Sequence, residues 1–181
     1  MRWLIALALI WALPAAAQSR PELIVNGSFA DGLNGWTVKS TNSQPGHVRA
    51  ATDRDYEPKT HSPAGTFATF NSGDAVPNAV LSQTVATATN TDYLLTFTFG
   101  TYDAGGSSNQ ALEAVVVSNG EILAGKFVGP NGGGRDLSKI FRTYHVPFTA
   151  YGPTTTIVFT DRSAHTESVD GLLTQVSVTR R

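Results

Sequence analysis

The chain has 181 residues, 13 Lys plus Arg against 14 Asp plus Glu, and no cysteine. The absent thiols exclude disulfides and thiolate metal sites. A near-neutral balance without a run of like charge excludes the basic stripe of a nucleic-acid binder, and nucleic acid is not an expected partner.

Met1 to Leu13 places one charge, Arg2, ahead of an uncharged apolar run of eleven residues, closed by Pro14 and Ala15-Ala16-Ala17. That order is a secretory signal with a small-residue cleavage site. The run is too short to cross a bilayer, which takes about 20 apolar residues. Residues 1–17 are therefore expected to be a signal peptide. Residues 18–181 are expected to form one exported domain, secreted or periplasmic, with 12 basic against 14 acidic residues once Arg2 is gone. No other stretch is apolar and long enough to be a transmembrane helix.

Beyond the signal, glycine, proline, serine and threonine recur every eight to twelve residues between short segments rich in Val, Thr, Phe and Tyr. That spacing predicts antiparallel strands in a sandwich or barrel, and no segment shows a helical period. Tyr93, Leu95, Phe97 and Phe99 share one face of a predicted strand over 92–100, with Thr96 and Thr98 opposite. Residues 104–109, rich in Gly and Ser, read as a surface loop. Asn119-Gly120 between the apolar runs 112–117 and 121–128 predicts a hairpin. Gly132-Gly133-Gly134 marks another loop, and 136–144 is read as a loop leading into a strand, since residues 142–146 alternate before Pro147. Residues 154–161 predict a strand with Ile157 and Phe159 inward, and 171–179 a closing strand with Val176 and Val178 on one face. No repeat or interdomain linker interrupts the pattern.

The most specific stretch is Leu23-Ile24-Val25-Asn26-Gly27-Ser28-Phe29-Ala30-Asp31-Gly32-Leu33-Asn34-Gly35-Trp36. It resembles the opening of galactose-binding-like jelly rolls, and within them carbohydrate-binding modules of families 4 and 9 and a related exported domain of unknown function. Leu81-Ser82-Gln83-Thr84-Val85, Thr91 to Phe99, Tyr144 to Ala150, and Val169-Asp170 with Val176-Ser177-Val178 are similar to later strands of those modules, in the same order. The resemblance implies an all-β, two-sheet antiparallel jelly-roll sandwich. In such a fold Phe29 plugs the core, Trp36 packs between sheets, and Gln83 hydrogen-bonds backbone.

The resemblance also implies a structural calcium ion where the first and last strands meet. Its acid position is Ala30 here, so the ligands would be Asp31, Asp170 and backbone carbonyls, a thin set for an ion that takes six to eight oxygens. It further implies exposed aromatics as stacking platforms for sugar rings. The candidates off the expected core face are Tyr56, Tyr102, Tyr144 and Tyr151. Tyr56 lies in the polar run Asp53 to Glu57, and Tyr102 enters the loop at 104–109.

A catalytic constellation is not legible. There is no Gly-x-Ser-x-Gly elbow, and His47, His61, His145 and His165 lack zinc-site spacing. Gly132 to Arg135 lacks the Lys-Ser/Thr of a phosphate loop. Glu113, Glu121 and Asp103 cannot be paired by sequence into the two carboxylates of a glycosidase. Asn26-Gly27-Ser28 matches a glycosylation acceptor that a turn explains more simply. The expectation is a non-catalytic module that binds a polysaccharide or cell-envelope glycan. The alternative is a structural or protein-interaction domain of the envelope or matrix without a sugar ligand, since fold does not fix function.

Overall fold

The computed structural model describes residues 20–56, 60–103, 110–129, 141–164 and 169–181. The expected signal peptide, the loops at 104–109 and 130–134, and His165 lie outside them. The described residues form ten strands and no α-helix: β1 Thr37–Ser40, β2 Val48–Thr52, β3 Thr66–Phe70, β4 Ala79–Ala86, β5 Thr91–Asp103, β6 Leu112–Ser118, β7 Glu121–Val128, β8 Arg142–Ala150, β9 Thr154–Asp161 and β10 Val169–Arg180. They make two five-stranded antiparallel sheets. Sheet I runs β1-β4-β9-β6-β7 and sheet II β2-β3-β10-β5-β8. The sandwich expected from the sequence is the fold observed.

Period-two alternation builds the core. On β5, Tyr93, Leu95, Phe97 and Phe99 are buried as expected, and on β9 so are Ile157 and Phe159. Phe97 stacks edge-on against Phe159 from the opposite sheet, ring centroids 5.2 Å apart, a favoured aromatic arrangement. Phe29 and Trp36 join the same cluster, their centroids 5.3 Å apart, as the opening motif implies.

That motif works through its polar atoms too. The Asn26 side-chain amide donates to the carbonyls of Asp31, Gly32 and Asn34 at 3.3, 3.0 and 3.1 Å, closing the loop that delivers Trp36. The Trp36 indole then donates to the Asn26 carbonyl at 3.2 Å. Gly27 lies so close to β10 that a Cβ there would stand 1.9 Å from the Val176 carbonyl oxygen. Gln83 accepts from the Val25 amide at 2.7 Å and donates to the Val25 carbonyl at 2.9 Å. It thus stands in for a strand neighbour that Val25 lacks.

Asn119 and Gly120 take φ of 52° and 82° between β6 and β7, the conformation a two-residue hairpin turn needs. β8 runs from Arg142 through Pro147 to Ala150, in line with the strand resemblance over Tyr144 to Ala150. It is an edge strand of sheet II, where a proline is tolerated. The closing strand carries a bulge between Thr174 and Ser177, with Gln175 at φ 50°. The extra residue resets the alternation, so Leu173 and Val176, three apart, both enter the main core.

Candidate functional site

The structure does not gather the four tyrosines into one cleft. Tyr56, expected off the core, is 5% exposed. It ends a 3₁₀ turn at Asp53–Asp55 that Thr52 caps, and it folds across the outer face of sheet II. There it packs with Ala51, Phe67 and Leu172 and meets Tyr102 edge-on, centroids 4.6 Å apart. Its hydroxyl donates to Asp170 at 2.7 Å and lies 2.8 Å from the Thr69 hydroxyl. Burial raises its pKa first, and the Asp170 carboxylate adds to that. Tyr56 is therefore a cover over sheet II rather than an exposed platform, because the turn sends Arg54 and Asp55 to solvent and the ring inward. Tyr144 lies on β8 and stacks on Phe97. Tyr151 follows β8 and is 57% exposed, away from the other three.

Nor do Asp31 and Asp170 meet. Asp31 belongs to the loop closed by Asn26, and the neighbouring Gly27 carbonyl accepts from the Val176 amide at 2.9 Å. Val176 is six residues along β10 from Asp170, about 20 Å of extended strand. Asp170 is occupied by Tyr56, and burial raises its pKa against the opposing effect of that hydrogen bond. Where the opening segment meets β10, the carbonyls of Ser28 and Thr66 accept from the hydroxyls of Thr66 and Thr174 at 2.7 and 2.8 Å. Those residues do not fit the calcium ion the resemblance implies. Among the described residues no three His, Asp or Glu side chains gather as metal ligands.

Sheet II offers a small cleft at its β2 edge, lined by Gly46, His47, Val48, Arg49, Thr69 and Ser72. Its volume is about 110 Å³, below the 300–1,000 Å³ of ordinary ligand pockets. Arg49 is tied there to the Ser72 hydroxyl at 3.0 Å.

The outer face of sheet I is different. Alternation that buries Leu81, Val85, Ile157, Phe159, Ala114 and Val116 turns the intervening residues outward. Cross-strand register assembles these into rows. One row is Lys39–Val80–Thr160–Glu113–Phe127, the next is Thr37–Ser82–Val158–Val115–Gly125, and the third is Thr84–Thr156–Val117–Ile122. The middle of the face is thus a half-buried valine strip, bordered by hydroxyls on β1 and β4. Five strands make it about 19 Å across. Phe127 stands at its β7 rim, 60% exposed, and Ile122 is 69% exposed. Gly125, facing Val115, leaves a gap in that rim.

Charge is confined to one end. Arg162 donates through Nε and Nη2 to Glu113 Oε2 at 3.0 and 2.7 Å, beside Phe127 in the rows. His145 bonds Thr96 on sheet II, and His47 lines the cleft at the β2 edge of that sheet.

Sequence reasoning missed this face because its members are valine, threonine and one phenylalanine. Those residue types read as generic strand. The signal that could have found it is Phe127, a large aromatic on the outward phase of a predicted strand, together with Gly125 two residues before it.

Scans of the sequence against family models and curated proteins return no match. The fold matches solved structures. One is the carbohydrate-binding module TmCBM61 in complex with beta-1,4-galactotriose, 14% identical over 89% of this chain and 99% of that one, TM-score 0.63. Another is a CBM4 module, 11% identical over 87% and 99%, TM-score 0.56. A third is the K1 cleaved adhesin domain of Lys-gingipain from Porphyromonas gingivalis, 15% identical over 85% and 96%, TM-score 0.60. At these identities the likeness shows the fold, a two-sheet antiparallel β-sandwich, and leaves function to the site itself.

Proposed function

We propose that the chain is a non-catalytic, exported carbohydrate-binding module that lays a glycan across the outer face of sheet I. The observation that carries this reading is the valine strip bordered by hydroxyls, with the exposed Phe127 at its rim. The apolar faces of sugar rings match a flat apolar floor and an aromatic wall. Threonine and serine hydroxyls, which both donate and accept, match sugar hydroxyls at the borders. That TmCBM61 and the CBM4 module share the fold supports the reading. The open face suits a polymer that enters and leaves past its edges, as an enclosed pocket would not.

The test is retention of the purified protein on a panel of soluble polysaccharides in native affinity gels. Wild-type chain is expected to be slowed by at least one glycan, and Phe127→Ala to lose tenfold or more in affinity with an unchanged melting temperature. Removal of a ring that stacks a nucleobase costs about 1–3 kcal/mol, and a sugar face stacked on Phe127 is expected to fall in that range. The competing reading is a protein-interaction domain, favoured by Ile122 and Phe127 on the edge strand β7. Capture of a protein that Phe127→Ala abolishes, with no glycan retarding the wild type, would establish it instead.

A further inference from the structure

At the end of the sandwich where β3, β5 and β9 finish, the core closes over polar side chains. Asn71 and Gln110 are 0% exposed and Asp161 is 3% exposed. They form a ring with Ser163. The Ser163 amide donates to Asp161 Oδ1 at 2.9 Å and its hydroxyl to Gln110 Oε1 at 2.9 Å. Asn71 Nδ2 donates to Gln110 Oε1 at 2.9 Å, and the Asn71 amide approaches the Asp161 carboxylate. Among the described residues, three buried oxygens at this end nevertheless have no hydrogen-bond partner: Asp161 Oδ2, Asn71 Oδ1 and Thr101 Oγ1. Thr101 pairs across β10 with Gly171, and a Cβ on Gly171 would stand 3.3 Å from Gln110 Oε1. The Thr101 strand position therefore borders the same ring.

A buried carboxylate without a counter-charge is costly, and every orphaned buried polar atom asks for a partner. The guanidinium nearest in sequence, Arg162, is turned to the outer face and held by Glu113. All three orphans are hard oxygen acceptors: one carboxylate, one amide carbonyl and one hydroxyl. We propose that this ring is a cation site, and that calcium completes it through Asp161 Oδ2 and Asn71 Oδ1, with Thr101 at its border. Calcium accepts carboxylate and amide oxygens in irregular geometry and fills its shell with water or carbonyls. One carboxylate places the site among weak, extracellular-type ones, with dissociation constants of about 10⁻⁴–10⁻³ M. The site is distinct from the Asp31 and Asp170 pair and lies inside the sandwich end, not on the face proposed for glycan. Its role is to lock the ends of three strands together.

The test is thermal unfolding of the full chain in EDTA and in 10 mM calcium, alongside equilibrium dialysis with calcium alone. Calcium is expected to raise the melting temperature by about 3–10 °C and to bind with one site per chain. Asp161→Asn should abolish both effects, and in EDTA it should melt at or above the wild type because it removes an unpaired buried charge. Asn71→Asp, which adds a second carboxylate, should bind calcium at least tenfold more tightly. No bound calcium in dialysis, or a calcium response that survives Asp161→Asn, would overturn the proposal.

Discussion

At the scale of single residues, two buried carboxylates set how the fold responds to pH. Burial raises the pKa of both Asp161 and Asp170 above the usual carboxylate range. Each therefore keeps its proton to a higher pH in the folded chain than in the unfolded one. The folded state binds more protons across that window, so these groups make stability fall as pH rises through their folded pKa. Their contribution levels off below the unfolded value of about 3.9. For Asp170 the surrounding groups are the Tyr56 hydroxyl, which donates to it, the Arg49 guanidinium, which opposes the rise, and Asp74, which adds to it. Asp170→Asn keeps an acceptor for Tyr56 and removes the charge. Its stability relative to wild type, from calorimetry in EDTA, is expected to be higher at pH 7 than at pH 4.5. A pH-independent difference would mean Asp170 does not titrate in this window.

Tyr56 also shows where residue-level reading stops. Its neighbours Asp53, Arg54 and Asp55 are polar, and a tyrosine among them reads as exposed. The cover it forms depends on Phe67 and Leu172, 11 and 116 residues away, and on Asp170, 114 residues away. No local pattern carries that information.

At the scale of elements, the strands were legible because one face of each is buried and the alternation survives in the sequence. The Asn119-Gly120 hairpin was legible because only a few residue types accept positive φ at both turn positions. The β10 bulge was not: the run Gly171-Leu172-Leu173-Thr174-Gln175 breaks alternation, and only pairing with β5 shows that Gln175 is the inserted residue. The opening motif was legible as a motif but not in its cause. Gly27 is required by the approach of β10, where an added Cβ would overlap the Val176 carbonyl. That obstacle is backbone and cannot rotate away. Gly27→Ala is expected to cost about 3 kcal/mol, seen as a lower urea midpoint with an unchanged slope. A midpoint within error of wild type would show that β10 and the opening loop move apart freely.

At the scale of the whole molecule, the two sheets share one core and differ in what they do with their outer faces. Sheet II spends its apolar outer residues on Tyr56 and Tyr102 and keeps them from solvent. Sheet I leaves a valine strip open between hydroxyl borders, with Phe127 on the rim and a neutralised Arg162–Glu113 pair at one end. The fold and the buried anchors could be read from the chain, whereas the choice of face could not. Both sheets turn apolar residues outward, valines on sheet I and Phe67 and Leu172 on sheet II, and only register across the strands distinguishes an open strip from a covered one. No helix among the described residues is long and apolar enough to cross a membrane.

The central claim is that sheet I is the ligand-bearing face. The most direct measurement is a titration of the ¹⁵N-labelled protein with an oligosaccharide from whichever polysaccharide retards it, followed by amide chemical shifts. The account predicts shifts gathered on β4, β9, β6 and β7, centred on Ser82, Val158, Val115 and Phe127, with Tyr56, Tyr102 and Asp170 unmoved. Shifts gathered instead around Tyr56 and the β2 edge of sheet II, or on the loop at Tyr151, would contradict it.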